Sequence, residues 1–334
     1  MPLHGGVAVG SRFPDPRAMN WPAGIVLALA TFGAALFAFA PRPLPTFPAT
    51  EVAASRLLVL GVAAAGSRAV GVGERGVVVL SDDAGRTWRT ARSPTQSTLT
   101  DVRFADAKLG IAVGHDEVIL RTEDGGETWT QVHAAPDQER PLLAVAFVDG
   151  ARAVAAGAYG AWLESRDAGR SWQRGKPFEG DPHLNALAPG PGGALVVAGE
   201  AGFLARSADG GRSFAPLASP YRGSYFGALA TPDGGLLVYG LRGNAYRSAD
   251  AGASWTRVTP DGVQATLLGG AALPDGRVVL VGREGVVLES RDQGRSFAAT
   301  KGADGRTLAA VGVLPDGTRI VGGDGGAARA GERG

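Results

Sequence analysis

One octapeptide recurs six times in this chain, and its regular spacing limits the possible folds more than any other feature. The copies read SDDAGRTW (81–88), TEDGGETW (122–129), SRDAGRSW (165–172), SADGGRSF (207–214), SADAGASW (248–255) and SRDQGRSF (290–297). Consecutive copies lie 41 to 43 residues apart, measured between their central aspartates. A repeat of this length is typical of a four-stranded propeller blade. The spacing therefore predicts an all-β chain built from repeated antiparallel blades.

Short apolar runs and glycine loops fill the intervals between the octapeptides. A glycine loop precedes each copy, as in VGVGERGVVVLS (70–81), and a further apolar run such as LLAVAFVD (142–149) comes before that loop. The runs are four to six residues long and bounded by Gly, Pro and Asp, which favours strands over helices. Each unit is therefore predicted to have four strands, with the octapeptide joining the third to the fourth.

The two ends of the repeat region predict a ring of seven blades over residues 46–334. Residues 308–334 repeat the first three strands a seventh time. The segment TFPATEVAA (46–54) precedes the first strand of blade 1 and is expected to supply the missing fourth strand of blade 7. This pairing would cover a strand edge that otherwise promotes aggregation. N- and C-terminal strands together are predicted to close the propeller.

The residue types of the octapeptide predict a structural turn. An aspartate accepts backbone N–H bonds within its own turn, a glycine allows positive φ, and an aromatic ring packs between blades. Calcium needs six to eight oxygen ligands, which these loops do not offer, so neither a metal nor a cofactor is predicted. The residues assigned to this role are Asp83, Asp124, Asp167, Asp209, Asp250, Asp292, Gly85, Gly126, Gly169, Gly211, Gly252, Gly294, Trp88, Trp129, Trp172, Phe214, Trp255 and Phe297.

The octapeptides match the Asp-box, or bacterial neuraminidase repeat, S-x-D-x-G-x-[TS]-[WF]. Over residues 46–334 the chain resembles the photosystem II stability/assembly-factor-like propellers. This resemblance implies a non-catalytic factor that helps a membrane complex to assemble. Asp-boxes also occur in sialidases and sortilin-type receptors, so the repeat by itself assigns no activity.

The N-terminal region predicts export. Residues 21–40, WPAGIVLALATFGAALFAFA, carry no charge and are long enough to cross a hydrocarbon core of about 30 Å. They are expected to form an uncleaved membrane anchor, with a cleaved signal peptide as the alternative. Residues 1–20 would then be a cytoplasmic tail and residues 41–48 a Pro-rich linker. The predicted location is the bacterial inner membrane, with the propeller on the periplasmic side.

Charge and composition exclude several functional classes. Thirty-three basic and 32 acidic side chains give a net charge of +1, which favours no nucleic-acid partner. The absence of cysteine excludes disulfides and thiolate chemistry. The stretch GVGERG (71–76) matches a dinucleotide-binding fingerprint, but a strand follows it where that motif requires a helix.

The rim opposite the Asp-boxes is the predicted binding surface. The glycine loops and the connections between blades meet there, and functional side chains concentrate on such loops. The connection PLASPYRGSYFG (216–227) is rich in the Tyr and Arg that interfaces favour. The predicted partner-binding residues are Arg75, His115, Asp116, Tyr159, Glu200, Arg242, Arg283, Glu284, Tyr221, Arg222, Tyr225 and Phe226.

Three functions remain open on the sequence alone. The favoured one is an assembly or accessory factor that binds a membrane-protein complex or a transporter. The second is a carbohydrate- or peptide-binding receptor domain, since the same aromatic side chains also stack on sugars. The third is a sialidase-like glycoside hydrolase, but the Arg-Ile-Pro segment of sialidases is absent and no catalytic cluster recurs. The chain is therefore not predicted to be an enzyme.

Overall fold

The computed structural model describes residues 21–39, 57–273, 275–301 and 305–331. A helix, α1 (Trp21–Phe39), forms within the predicted N-terminal apolar segment. The membrane helix predicted for residues 21–40 is not confirmed, because no helix among the described residues is both long and apolar enough to cross a membrane. The predicted tail (1–20) and linker (41–48) lie outside the described residues.

Seven antiparallel sheets make up the rest of the described chain, and each follows the chain order of its strands. Blades 1 to 3 comprise β1 (Val59–Ala65), β2 (Arg68–Gly73), β3 (Val78–Ser81), β4 (Arg89–Ala91), β5 (Leu99–Phe104), β6 (Gly110–Gly114), β7 (Ile119–Thr122), β8 (Thr130–His133), β9 (Leu142–Phe147), β10 (Ala153–Gly157), β11 (Trp162–Ser165) and β12 (Gln173–Arg174). Blades 4 and 5 comprise β13 (Leu184–Pro189), β14 (Leu195–Gly199), β15 (Leu204–Ser207), β16 (Ala215–Pro216), β17 (Tyr225–Ala230), β18 (Leu236–Gly240), β19 (Ala245–Ser248) and β20 (Thr256–Arg257). Blades 6 and 7 comprise β21 (Leu267–Ala272), β22 (Val278–Gly282), β23 (Val286–Ser290), β24 (Ala298–Lys301), β25 (Leu308–Val313), β26 (Arg319–Gly323) and β27 (Gly326–Arg329).

This arrangement confirms the predicted seven-bladed propeller. Six blades have four strands, and the described part of blade 7 has three. The segment expected to complete blade 7 (46–54) lies outside the described residues, so its pairing with β27 stays a prediction.

The hydrophobic core lies between the blades. Trp129 of blade 2 is almost fully buried in a cluster with Val70 and Leu80 of blade 1. Blade 7 packs on blade 1 in the same way, with Ile320 in a cluster with Val59. Each sheet therefore buries both faces against its neighbours, which explains the near-continuous apolar strands.

The Asp-box forms the predicted turn, as the copy in blade 3 illustrates. Asp167 Oδ1 accepts the hydroxyl of Ser165 at 2.8 Å and the backbone N–H of Ser171 at 2.9 Å, and Oδ2 accepts the hydroxyl of Ser171 at 2.6 Å. The Ser165 hydroxyl in turn accepts the Gly169 N–H at 2.8 Å. The Trp172 indole N–H donates to the carbonyl of Gly169 at 3.1 Å. The Asp167 carboxylate thus accepts hydrogen bonds from donors of its own turn.

Arginines of one blade also bind the Asp-box of the next blade. In each case the acceptor is the carbonyl oxygen of the residue that follows the box aspartate, and we name these contacts the arginine latches. They join Arg68 to Gly125, Arg121 to Ala168, Arg152 to Gly210 and Arg247 to Gln293, at 2.8–3.3 Å. The Asp-box therefore stabilises the contact between blades as well as its own turn.

Candidate binding rim

The antiparallel order of the strands places the two kinds of loop on opposite faces of the ring. The second-to-third loops and the connections between blades share one face, as predicted, and the Asp-boxes occupy the other. We call the first face the glycine-loop rim. Direct hydrogen bonds join its parts: the Leu241 N–H donates to the Ser224 carbonyl at 3.0 Å, and the Arg283 N–H donates to the Thr266 carbonyl at 2.9 Å.

Six of these loops contain a short 3-10 turn whose central residue adopts positive φ. The central residues are Arg75, Asp116, Tyr159, Ala201, Arg242 and Glu284, with φ between 50° and 59°. A glycine follows in five of the six, since a Cβ at Gly76 or Gly202 would overlap the backbone of the adjacent connection. The repeated turn fixes where each central side chain leaves the rim.

Seven of the predicted residues are exposed on this rim: Arg75, His115, Tyr159, Arg222, Arg242, Arg283 and Glu284. Tyr159 is 53% exposed, and its ring packs edge-to-face on His183 with centroids 4.5 Å apart. The Tyr159 ring and the exposed arginine side chains elsewhere on the rim are accessible to a partner.

Three of these arginines form a continuous arc, which we name the arginine arc: Arg222, Arg242 and Arg283. The connection containing Arg222 reaches Ser224, which holds the loop of Arg242. Thr266 then accepts the Arg242 N–H through its hydroxyl at 3.4 Å and the Arg283 N–H through its carbonyl. Within the described chain, none of the three guanidinium groups has a hydrogen bond or an ion pair, so their binding capacity is unused.

Two predicted residues hold the rim together. Asp116 Oδ2 accepts the Ser97 hydroxyl at 2.6 Å, and Glu200 Oε1 accepts the His183 N–H at 3.3 Å. Both side chains are partly buried and tie a glycine loop to the neighbouring connection. Their contacts support the loops that display the exposed residues.

The aromatic cluster of residues 221–226 differs from the prediction. Tyr225 is fully buried, and its hydroxyl lies 2.9 Å from the Ser219 hydroxyl, so its assignment to a partner surface is wrong. Burial raises the pKa of Tyr225 to about 12. Tyr221 is half-buried and stacks on Tyr246, and Phe226 lines the central channel. Neither the buried position of Tyr225 nor the channel position of Phe226 follows from composition alone.

One buried charged residue of this rim, Glu117, was not predicted from the sequence. Glu117 is fully buried and forms an ion pair with Arg174 of the next blade, while His133 Nε2 lies 3.6 Å from its carboxylate. Glu117 has a φ of 50° where the corresponding residue of the other glycine loops is glycine. A glutamate at a position that is glycine in the other loops is the sequence feature that could have identified this buried charge.

Within residues 21–39, 57–273, 275–301 and 305–331, no group of three or more His, Cys, Asp or Glu side chains is placed to hold a metal ion.

A family model decides the relationship of this chain to known proteins. The model described as "Photosynthesis system II assembly factor YCF48" matches residues 80–260, more than half of the 334 residues. The chain belongs to the YCF48 family. No curated protein matches it.

Solved structures share the fold of this YCF48-family chain. A structure titled "YCF48 bound to D1 peptide" has a TM-score of 0.67 and 20% identity, covering 86% of this chain and 98% of that one. YCF48 from Cyanidioschyzon merolae has a TM-score of 0.65 and 17% identity, covering 86% and 96%. A streptogramin B lyase has a TM-score of 0.71 and 10% identity, covering 83% and 94%. At these identities the likeness shows the propeller fold alone.

Proposed function

We propose that this chain is a non-catalytic assembly or accessory factor that binds a segment of a membrane-protein client through the glycine-loop rim. Membership of the YCF48 family and the relative whose title names a bound D1 peptide support this role. The observation that carries the proposal is the arginine arc, because three exposed guanidinium groups on linked loops have no hydrogen bond or ion pair in the described chain.

The chemistry of the arc favours a client segment with carboxylates. Arginine presents several N–H donors in a rigid fork that matches a carboxylate. Around the ring, Tyr159 adds an exposed aromatic face of the kind found at binding hot spots. An extended acidic segment would therefore contact the arc with its charges and Tyr159 with an apolar side chain.

The test is capture of the client from native membranes by the full-length protein, identified by mass spectrometry. The variant combines Arg222→Gln, Arg242→Gln and Arg283→Gln. Loss of three exposed ion pairs is expected to weaken binding roughly ten- to a hundredfold. Binding by the unchanged protein should also weaken as salt is raised.

A matched control combines Arg86→Gln, Arg257→Gln and Arg291→Gln, three exposed arginines outside the glycine-loop rim. This variant removes the same charge and is expected to capture the client normally. Equal losses in both variants would show a general charge effect and contradict the proposed rim.

The periplasmic location is proposed from the sequence pattern. It is tested by protease treatment of intact spheroplasts, in which an exported propeller is digested and a cytoplasmic one is protected until the cells are lysed.

A further inference from the structure

A polar cavity lies in the central channel, and its described lining residues do not include the three arginines of the arginine arc. The innermost strand of every blade contributes to its wall, and its volume is about 110 Å³. That is room for several water molecules or one small solute. Among the described residues that line it, Asp101 and Arg103 are the charged ones, and most of the others are Gly, Ala, Val and Leu.

Two polar residues of this cavity break the repeat. At the position of Asp101 the other six blades have glycine or alanine: Gly61, Ala144, Ala186, Gly227, Gly269 and Ala310. At the position of Tyr239 the other blades have small aliphatic residues or glycine: Val72, Val113, Ala156, Ala198, Val281 and Gly322. The two positions are paired within each blade, so Asp101 and Tyr239 lie in one layer of the ring.

Tyr239 reaches the channel because two glycines make room for its ring. A Cβ at Gly227 or at Gly270 would collide with the end of the Tyr239 side chain. Tyr239 is 3% exposed and lines the cavity, and its hydroxyl has no hydrogen-bond partner among the described residues. Burial raises its pKa, so the hydroxyl stays protonated at neutral pH. The Tyr239 hydroxyl therefore opens on the cavity without a protein acceptor among the described residues, and it can donate to a ligand or to water there.

The opposite wall offers a charge pair that is only partly satisfied. Asp101 Oδ1 accepts the Val102 N–H at 2.9 Å, and Oδ2 accepts the Val145 N–H at 3.1 Å. Arg103 Nη1 lies 3.2 Å from Asp101 Oδ1, and nearly half of the Arg103 side chain is exposed. One lone-pair position on Oδ2 and several Arg103 N–H groups therefore remain available.

We propose that the channel binds a small zwitterion of the α-amino-acid class. Its carboxylate would accept hydrogen bonds from Arg103 and Tyr239, and its ammonium group would donate to Asp101. A ligand with both charges complements the Asp101–Arg103 pair, because each charge faces a group of opposite sign. A simple anion has no positive group to place beside the Asp101 carboxylate, so that carboxylate would repel it. This site is independent of the proposed client rim.

The test is calorimetric titration of the full-length protein with glycine, and separately with acetate and methylammonium. Glycine is expected to bind more tightly than either single-charge probe. Tyr239→Phe keeps the ring in its glycine-lined path and removes the hydroxyl, so the affinity for glycine should fall about tenfold or more. Arg103→Gln should weaken glycine binding as well. Tyr159→Phe, on the rim, serves as the matched control and should bind glycine normally.

Three results would overturn the proposal: no binding of glycine up to about 10 mM, acetate binding as tightly as glycine, or unchanged glycine affinity in Tyr239→Phe. A fold check by circular dichroism accompanies each variant. A negative result for glycine binding would not contradict the proposed client rim, because the role of the arginine arc is tested by client capture and not by glycine titration.

Discussion

Ser165 shows how much a single side chain contributes to each repeat. Its hydroxyl donates to Asp167 and accepts the Gly169 N–H, and the residue is 2% exposed. The same pair of contacts recurs at Ser81, Ser207, Ser248 and Ser290. The residue types of the Asp-box predicted this turn from the sequence, because all of these contacts are local in the chain.

Ser165→Ala is expected to lower the free energy of unfolding by about 1–3 kcal/mol, because it leaves the buried Gly169 N–H unsatisfied. Urea denaturation measures the change. Ser171→Ala, at an exposed box position, is the comparison and should cost less. An equal cost at both sites would contradict the role given to burial.

Acid should weaken the ring through the same boxes. The pKa values of Asp83, Asp167 and Asp250 fall from 3.8 to about 2, with the hydroxyl four residues later as the largest cause. A carboxyl with a lowered folded-state pKa stabilises the fold above its unfolded value, and this stabilisation is lost as the pH falls from 3.8 through about 2. The unfolding free energy should therefore decline over that window, and less steeply in Asp167→Ala. Equal slopes would contradict this assignment.

At the scale of the element, the sequence predicted the strands and turns but not the arginine latches. Strand periodicity and glycine loops are local patterns. The latches join residues 46 to 58 positions apart, and their arginines leave different places in the blade: Arg68 and Arg152 flank a hairpin, while Arg121 and Arg247 lie on third strands. A contact without a fixed repeat position leaves no periodic signal. The burial of Tyr225 was not predicted for a related reason, since interface-like composition does not specify which side of a strand faces the core.

Arg121→Met is expected to destabilise the propeller by about 1–3 kcal/mol, because the carbonyl of Ala168 loses its charged donor at a largely buried site. Chemical denaturation provides the measurement, with Arg86→Met as the control on an exposed arginine of the same face. A latch that contributes nothing would leave the two variants equally stable.

At the scale of the whole molecule, the seven blades form the ring predicted from the repeat count. Glu117, Asp101 and Tyr239 lie where the repeat is broken, and two of these departures occur in the channel. The sequence contained those breaks, but only the superposition of blades in space shows that Asp101 and Tyr239 share a layer. The rim was predictable as a face, because strand order determines it. Its exposed members were predictable only in part, because exposure depends on packing between blades: seven predicted residues are exposed, but Tyr225 is buried.

Deleting residues 46–54 is expected to leave blade 7 with an unpaired edge at β27 and to cause aggregation. Light scattering and yield of soluble protein measure this outcome. Deleting residues 41–45 shortens the neighbouring Pro-rich segment and should leave solubility unchanged. A soluble, equally stable protein after the 46–54 deletion would refute the predicted closure.

The arginine latches have a consequence for how such a ring can change over evolutionary time. Each of the four latches connects a blade only to its immediate successor. A chain cut at any connection between blades, with its original ends joined, would break at most one latch. Circular permutants of this propeller should therefore fold, and duplication of blade 1, 2, 3 or 5 would bring a latch arginine with it. Contacts that join only neighbouring blades thus allow blades to be exchanged.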